Sequence, residues 1–393
     1  VQTPVLAAIS RRYRERENHI SSDSWPIYIS LQKDGILFKM RRTQDLPDKE
    51  SATMFFQDCK LAHQAQITGI SHSVKEILPP DLLDLTQLQK EANIRYGFTA
   101  SEVYDIAQSL YEKKLISYPR TSSRYLTEDV FDSLPPIMAC LLSWELFPAA
   151  KGTGGIDISN LSRHVISAEK ANVHHAIIIT GIRPGNLSEK EMQVYRLVAG
   201  RMLETFMAPC RIETTNVEAV CAAQHFKAEQ TRIIEAGWHD VFMRYDMIPT
   251  SGYSVKELPE VEKGDTLNVC GCNMVHKKEL PVDPFTDAEL VEYMELNGLG
   301  TVSSRTNIIR TLVNRKYIRY SGKYIVPTPK GMFTYETIRG KKIADTSLTA
   351  DWEKQLAGLE SGMITGQDFL NRIRTLAKEM TDDIFNTYST KEE

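Results

Sequence analysis

Tyr118, Pro119 and Arg120 are the residues of this chain best suited to covalent chemistry. A phenol with a pKa near 10 is a poor nucleophile at neutral pH. It reacts when cations surround it and when the charge of the group it attacks is offset as the transition state forms. Arg120 lies two residues from the hydroxyl, and its planar fork matches two oxygens of a phosphate. Pro119 fixes one backbone angle between them. Arg124, Lys113 and Lys114 add positive charge on either side. These residue types together suit attack on a phosphodiester. The plainer alternative is a helix stop, with Pro119 ending the pattern and a solvated loop behind it.

His174 and His175 precede a strongly apolar, strand-like run, residues 176 to 179. Neighbours on a strand point to opposite faces, so only one of the two can face a given site. That adjacency argues against a metal-binding pair, which needs alternate positions. A structural histidine at a strand edge is the plainer reading. The six cysteines, at 59, 140, 210, 221, 270 and 272, make no Cys-x-x-Cys pair. Reduced thiols in a cytoplasmic protein are expected rather than a zinc ribbon. There is no Asp-x-Asp motif and no Gly-x-x-x-x-Gly-Lys-Ser/Thr loop, so nucleotide-triphosphate chemistry is not indicated.

The elements that must hold these residues alternate in kind. Ile27 to Met40 alternates around Asp34-Gly35, a strong hairpin signal, and residues 64 to 78 continue in strand style until Pro79-Pro80. Residues 84 to 205 read as helical. A capping box at Thr99 and Glu102, with Phe98 and Val103 as its staple, starts the helix that leads to Tyr118. A second box, Ser188 with Glu191, starts a long helix with Met192, Tyr195, Val198, Met202 and Phe206 on its apolar side. Strand patterns return from 206 to 280. The simplest arrangement is one β unit with a helical domain inserted into it.

The last third opens with a third box, Thr286 with Glu289, and Asn297-Gly298 stops that helix. A second helix follows over about 303 to 315, then a hairpin over 317 to 326 turning at Ser321-Gly322. Helix, turn, helix, hairpin is the order of a winged helix-turn-helix. Between Glu295 and Glu336 there is no acidic residue, while Arg305, Arg310, Arg315, Lys316, Arg319, Lys323 and Lys330 are all basic. In a chain of net charge −4 this is a local footprint for phosphates. A length of 393 residues implies two to four units. No apolar run is long enough to span a membrane, and the first residues lack a secretory pattern.

The stretch LYEKKLISYPRTSS (110–123) resembles the active-site signature of the type IA DNA topoisomerases. VHHAII (173–178) resembles the histidine motif of their topoisomerase III branch. GLGTVSSRTNIIRTLVNRKYI (298–318) with YIVPTPKG (324–331) resembles that family's late DNA-binding segment, and VQTPVLAAI resembles the stretch after its metal domain. These motifs cover nearly the whole chain in the family's order.

The resemblance implies an α+β multidomain torus fragment. Residues 1–30 would be the first segment of the helical DNA-binding domain, and 31–83 the first half of a β arch. The helical catalytic-tyrosine domain would span 84–205, the second half of the arch 206–280, and the winged-helix-like DNA-binding domain 281–393. Tyr118 would be the nucleophile, Arg120 would hold the scissile phosphate, and His174 would assist through hydrogen bonding. Gln2, Arg124, Thr301, Ser304, Arg305 and Arg315 would contact single-stranded DNA. Ser122 stands where the family often has Asp, and Ile179 where proline is common. The family's Mg²⁺ and acidic cluster lie on an N-terminal toprim domain, so the chain is expected to lack the metal and to be inactive alone. A monomer is expected, with a helicase or single-strand-binding protein as protein partners. The rival is a winged-helix DNA-binding protein in which Tyr118 merely packs. A tyrosine recombinase is a weaker rival, for want of an Arg-His-x-x-Arg set.

Overall fold

The computed structural model describes residues 1–144, 146–147, 156–171, 174–243, 251–360 and 362–389. Helix α1 (Gln2–Glu17) buries Val5, Leu6 and Ile9. It leads to the two-residue strand β1 (Asp23–Ser24) and then to β2 (Ile27–Lys33) and β3 (Ile36–Arg42). The β unit thus begins by Ile27, inside the stretch that the sequence assigns to the helical DNA-binding domain. Asp34 (φ 51°) and Gly35 (φ 81°) are both left-handed, as a two-residue hairpin turn requires. Helix α2 (Lys49–Leu61), capped by the Asp48 carboxylate, sets Ala52, Phe55, Phe56 and Cys59 at i, i+3, i+4 and i+7 toward the barrel core, a short signal that was not singled out in the sequence. Strand β4 follows (Gln64–Ile77).

The inserted unit contains α3 (Leu85–Tyr96), α4 (Ala100–Glu112), α5 (Glu128–Asp132), α6 (Leu134–Ser143) and α7 (Glu189–Phe206). The capping boxes at Thr99 and Ser188 are both formed. Leu88, Val103, Leu110, Ile177, Ile179, Tyr195 and Met202 share its core. The chain then returns to β5 (Cys210–Cys221), β6 (Gln224–Glu235), β7 (Thr266–Met274) and β8 (Lys277–Lys278), the last paired with β1. Six strands close an antiparallel barrel in the order β2-β3-β6-β5-β4-β7. Its interior is filled by Ile29, Leu31, Met40, Ile67, Val217 and Phe226. The helical unit enters between two adjacent barrel strands, β4 and β5, which pair from Gln66↔Val220 to Ile77↔Cys210.

Helices α8 (Asp287–Leu296) and α9 (Val302–Asn314) precede the hairpin β9 (Ile318–Ser321) and β10 (Tyr324–Pro327). Gly298 (φ 61°) ends α8, with Leu299 N–H donating to Met294 O at 2.8 Å and Gly298 N–H to Glu295 O at 3.1 Å. The helices α10 (Pro329–Ile338), α11 (Thr346–Glu360) and α12 (Gly366–Ser389) complete the chain. Val5, Leu6 and Ile9 of α1 share one core with Leu290, Met294, Ile309, Leu312 and Ile325, so the first helix packs with the last third of the sequence.

Candidate active site and nucleic-acid interface

Pro119 does not end the helix before Tyr118. Helix α4 stops at a Schellman motif five residues earlier: Lys114 N–H donates to Tyr111 O at 2.8 Å and Leu115 N–H to Leu110 O at 2.9 Å. Lys114 takes the left-handed conformation there (φ 59°). The chain then runs past residues 176 to 180, which form isolated bridges rather than a strand. Ile116 bridges Ile179, Ser117 N–H donates to Ile178 O at 2.8 Å, and Thr180 N–H donates to Leu115 O at 3.1 Å. Ser117 Oγ donates to Ala176 O at 3.0 Å and accepts from Ile178 N–H at 3.0 Å. Ile179 N–H meets Met202 Sδ at 3.2 Å, a donor that a proline there would lack.

These bonds bring the two motifs together. The half-buried Tyr118 ring lies 4.4 Å from the ring of the exposed His174, tilted by 45°. Thr121 Oγ1 donates to His174 O at 2.9 Å and so pins the histidine backbone. His175 turns elsewhere, its Nδ1 2.7 Å from Ala176 O. Val173, the first residue of that motif, lies outside the described residues. Tyr111 meets the Tyr118 ring edge-on at 5.4 Å.

Arg120 Nη2 donates to Gln108 Oε1 at 3.1 Å, and its guanidinium lies 5.0 Å from the centre of the Tyr104 ring. Its Nε is buried without a protein partner. Tyr104, Gln108 and Tyr111 were not singled out in the sequence. Their spacing on α4, in a stripe beside the apolar Val103, Ala107 and Leu110, is the signal that marks them. Ser122, by contrast, is exposed.

The other candidates fall into two groups. Arg124 Nε donates to Asp84 Oδ2 at 2.7 Å, and Asp84 also caps α3 through Gln87 N–H at 2.7 Å. Burial pushes the Asp84 carboxyl up, against the pull of Gln87 N–H and Arg124. Arg305 is 7% exposed and donates to Thr86 Oγ1 at 3.1 Å and to Glu295 Oε1 at 3.2 Å. Arg310 pairs with Asp105 Oδ2 at 2.8 Å. Three of the expected cations therefore hold protein to protein.

Gln2 and Arg315 lie together, with Nη1 donating to Oε1 at 3.3 Å. Thr301 and Ser304 open α9, where Thr301 N–H donates to Ser304 Oγ at 2.9 Å. A Cβ on Gly300 would meet Ser304 Oγ at 2.8 Å and Val1 Cγ1 at 3.7 Å, so the starts of α1 and α9 adjoin. Arg315, Lys316, Arg319, Lys323 and Lys330 remain exposed. Among the described residues no group of three His, Cys, Asp or Glu is placed to hold a metal ion. No helix there is long and apolar enough to cross a membrane.

A family profile described as DNA topoisomerase matches residues 1–371. The chain belongs to the DNA topoisomerase family. DNA topoisomerase 3 of Bacillus licheniformis is 30% identical to this chain over 98% of the chain and 56% of the relative. DNA topoisomerase 3 of Bacillus subtilis is 29% identical over 99% and 57%. DNA topoisomerase 1 of Methanocaldococcus jannaschii is 30% identical over the whole chain and 50% of its own length. The chain thus spans about half the length of the curated relatives it matches. The fold is a topoisomerase fold. Full-length topoisomerase I from Thermotoga maritima superposes with a TM-score of 0.74 at 22% identity, over 96% of this chain and 62% of that one.

Proposed function

We propose that this chain is the strand-cutting and DNA-holding part of a type IA DNA topoisomerase of the topoisomerase III kind. The observation that carries the reading is Tyr118 beside His174 at 4.4 Å, with Arg120 two residues on and held at one nitrogen. The Tyr118 hydroxyl attacks the scissile phosphorus, an O–P bond forms, and the bond to the 3′ oxygen breaks. The phosphate stays on the tyrosine as a 5′ ester; the phenol gives up one proton and the leaving 3′ oxygen takes one up, so the exchange balances. Arg120 offsets charge on the non-bridging oxygens, and His174 orients the phenol. Reversal reseals the strand at little net energy, so no ATP is required.

The barrel serves as the arch, and the helical unit carrying Tyr118 swings from the α8–α9 unit to open a gate for a second strand. The exposed cations near Arg315, with Gln2, Thr301 and Ser304, hold single-stranded backbone, the start of α9 offering its amide dipoles to phosphate. In the family a Mg²⁺ ion supports cleavage and religation. Among the described residues no cluster is placed to hold it, and no step here runs through it.

The test is the full-length protein with Mg²⁺ and end-labelled single-stranded DNA. After denaturation, protein joined to the 5′ side of a break is expected, and it disappears in Tyr118→Phe. An adduct that survives in the Phe variant would end this reading. Intact DNA binding with no adduct at all, and a preference for duplex, would favour the winged-helix rival.

A further inference from the structure

One face of α4 touches both side chains on which the proposed cleavage depends, Tyr118 and Arg120. Tyr104, Gln108 and Tyr111 recur at i, i+4 and i+7, so they form one stripe. Tyr104 lies against the guanidinium of Arg120, Gln108 accepts from it, and Tyr111 meets Tyr118 edge-on. Gln108 is itself oriented: its Nε2 donates to Glu112 Oε1 at 2.8 Å. A carboxylate only accepts, so Glu112 takes the NH₂ end of the amide. The guanidinium only donates, so it takes the oxygen. Both ends of the amide are set by their partners.

We propose that Gln108 is a positioning residue: its neutral amide, aimed by Glu112, holds Arg120 on the Tyr104 ring without neutralising the charge that the phosphate needs. The inference rests on the reading of Tyr118 and Arg120 given above. An amide suits this task better than the alternatives. A carboxylate at 108 would pair with Arg120 and compete with the phosphate for its donors. An aliphatic residue would leave the guanidinium free to turn, and a misplaced charge stabilises a transition state poorly. The buried, unpartnered Nε of Arg120 agrees with a guanidinium that the protein holds without saturating.

The experiment compares Gln108→Ala, Gln108→Glu, Glu112→Ala and Tyr118→Phe in the full-length protein with Mg²⁺. Three quantities are read: the rate of adduct formation at saturating single-stranded DNA, the Kd for that DNA, and the melting temperature. Gln108→Ala is expected to slow adduct formation about tenfold, with Kd within about twofold. Gln108→Glu, the more conservative change in shape, is expected to be slower still. Glu112→Ala, an exposed change remote from the phosphate, slows the step less than Gln108→Ala at an unchanged melting temperature. A Gln108→Glu variant as fast as wild type, or variants that weaken Kd at an unchanged rate, would overturn the proposal. Loss of the adduct in Tyr118→Phe alongside wild-type rates in all Gln108 and Glu112 variants would sink this inference alone. An adduct in Tyr118→Phe would sink the reading beneath it.

Discussion

Arginine does two kinds of work in this protein, and burial separates them. Arg120 is half-buried, held at one nitrogen, and keeps donors to spare. Arg305 belongs to a sequence motif read as DNA-binding, yet it is 7% exposed and ties α9 to Thr86 and Glu295. Removing one partner of such a pair leaves the other charge short of its counter-ion. Glu295 keeps some access to water, which moderates the loss. Arg305→Ala is therefore expected to destabilise by about 2 kcal/mol in denaturant unfolding. Its affinity for single-stranded DNA, per folded molecule, should be near wild type. Arg315→Ala should do the reverse: unchanged stability, weaker binding, and a salt slope smaller by about 0.7. A large binding loss in Arg305→Ala at full stability would return that residue to the interface.

At the scale of elements, the turns that follow sequence rules were legible and those that break them were not. Asp34-Gly35 adopts the left-handed pair its composition favours. The β5–β6 hairpin makes the same two-residue turn with Ala222 (φ 48°) and Ala223 (φ 61°) between Cys221 and Gln224. Alanine has a Cβ that this conformation crowds, at about 1–2 kcal/mol per residue. The barrel tolerates the strain because eleven residue pairs along β5 and β6 impose the register from outside the turn. Ala222→Asn with Ala223→Gly should raise stability by about 1 kcal/mol, read as a higher midpoint in urea. No gain would mean that the turn is relaxed in a way its backbone angles do not show.

At the scale of the whole molecule, the helical units meet through a set of polar groups beside the apolar contacts of Ala100 and Val302, whereas each is apolar inside. Lys90 pairs with Glu292, Gln89 Nε2 donates to Thr306 Oγ1 at 2.9 Å, and Arg310 docks on Asp105. Asp287 lies in the same seam, 2% exposed, accepting from Ala100 N–H at 3.1 Å and from the Tyr320 hydroxyl at 3.1 Å. Burial pushes its carboxyl up to about 6, against the help of those two donors. An unfolded aspartate titrates near 4. Between those values the folded protein keeps a proton that the unfolded chain has lost, so this group's stabilisation falls as pH rises from about 4 to about 6 and then levels. The stability of wild type relative to Asp287→Asn should drop by about 3 kcal/mol across that window. A difference that stays flat with pH would show that Asp287 is not held in this way.

The sequence by itself determined the local structure and the identity of the chemical groups. The capping boxes at Thr99, Ser188 and Thr286 act over three residues, and all three form where they were read. The interruption of strands by helices was equally plain, because periods of 2 and 3.6 are written into neighbouring residues. Tertiary structure decided which groups meet. Tyr118 and His174 are 56 residues apart, and their contact depends on bonds from Ser117 and Thr121 to the run after the histidines. Closure of the barrel, with β4 beside both β5 and β7, joins strands on either side of the helical insert. The basic run from 305 to 330 was read as one surface, but packing turned Arg305 inward and gave Arg310 to α4. Charge is a property of a residue, whereas exposure belongs to everything that packs around it.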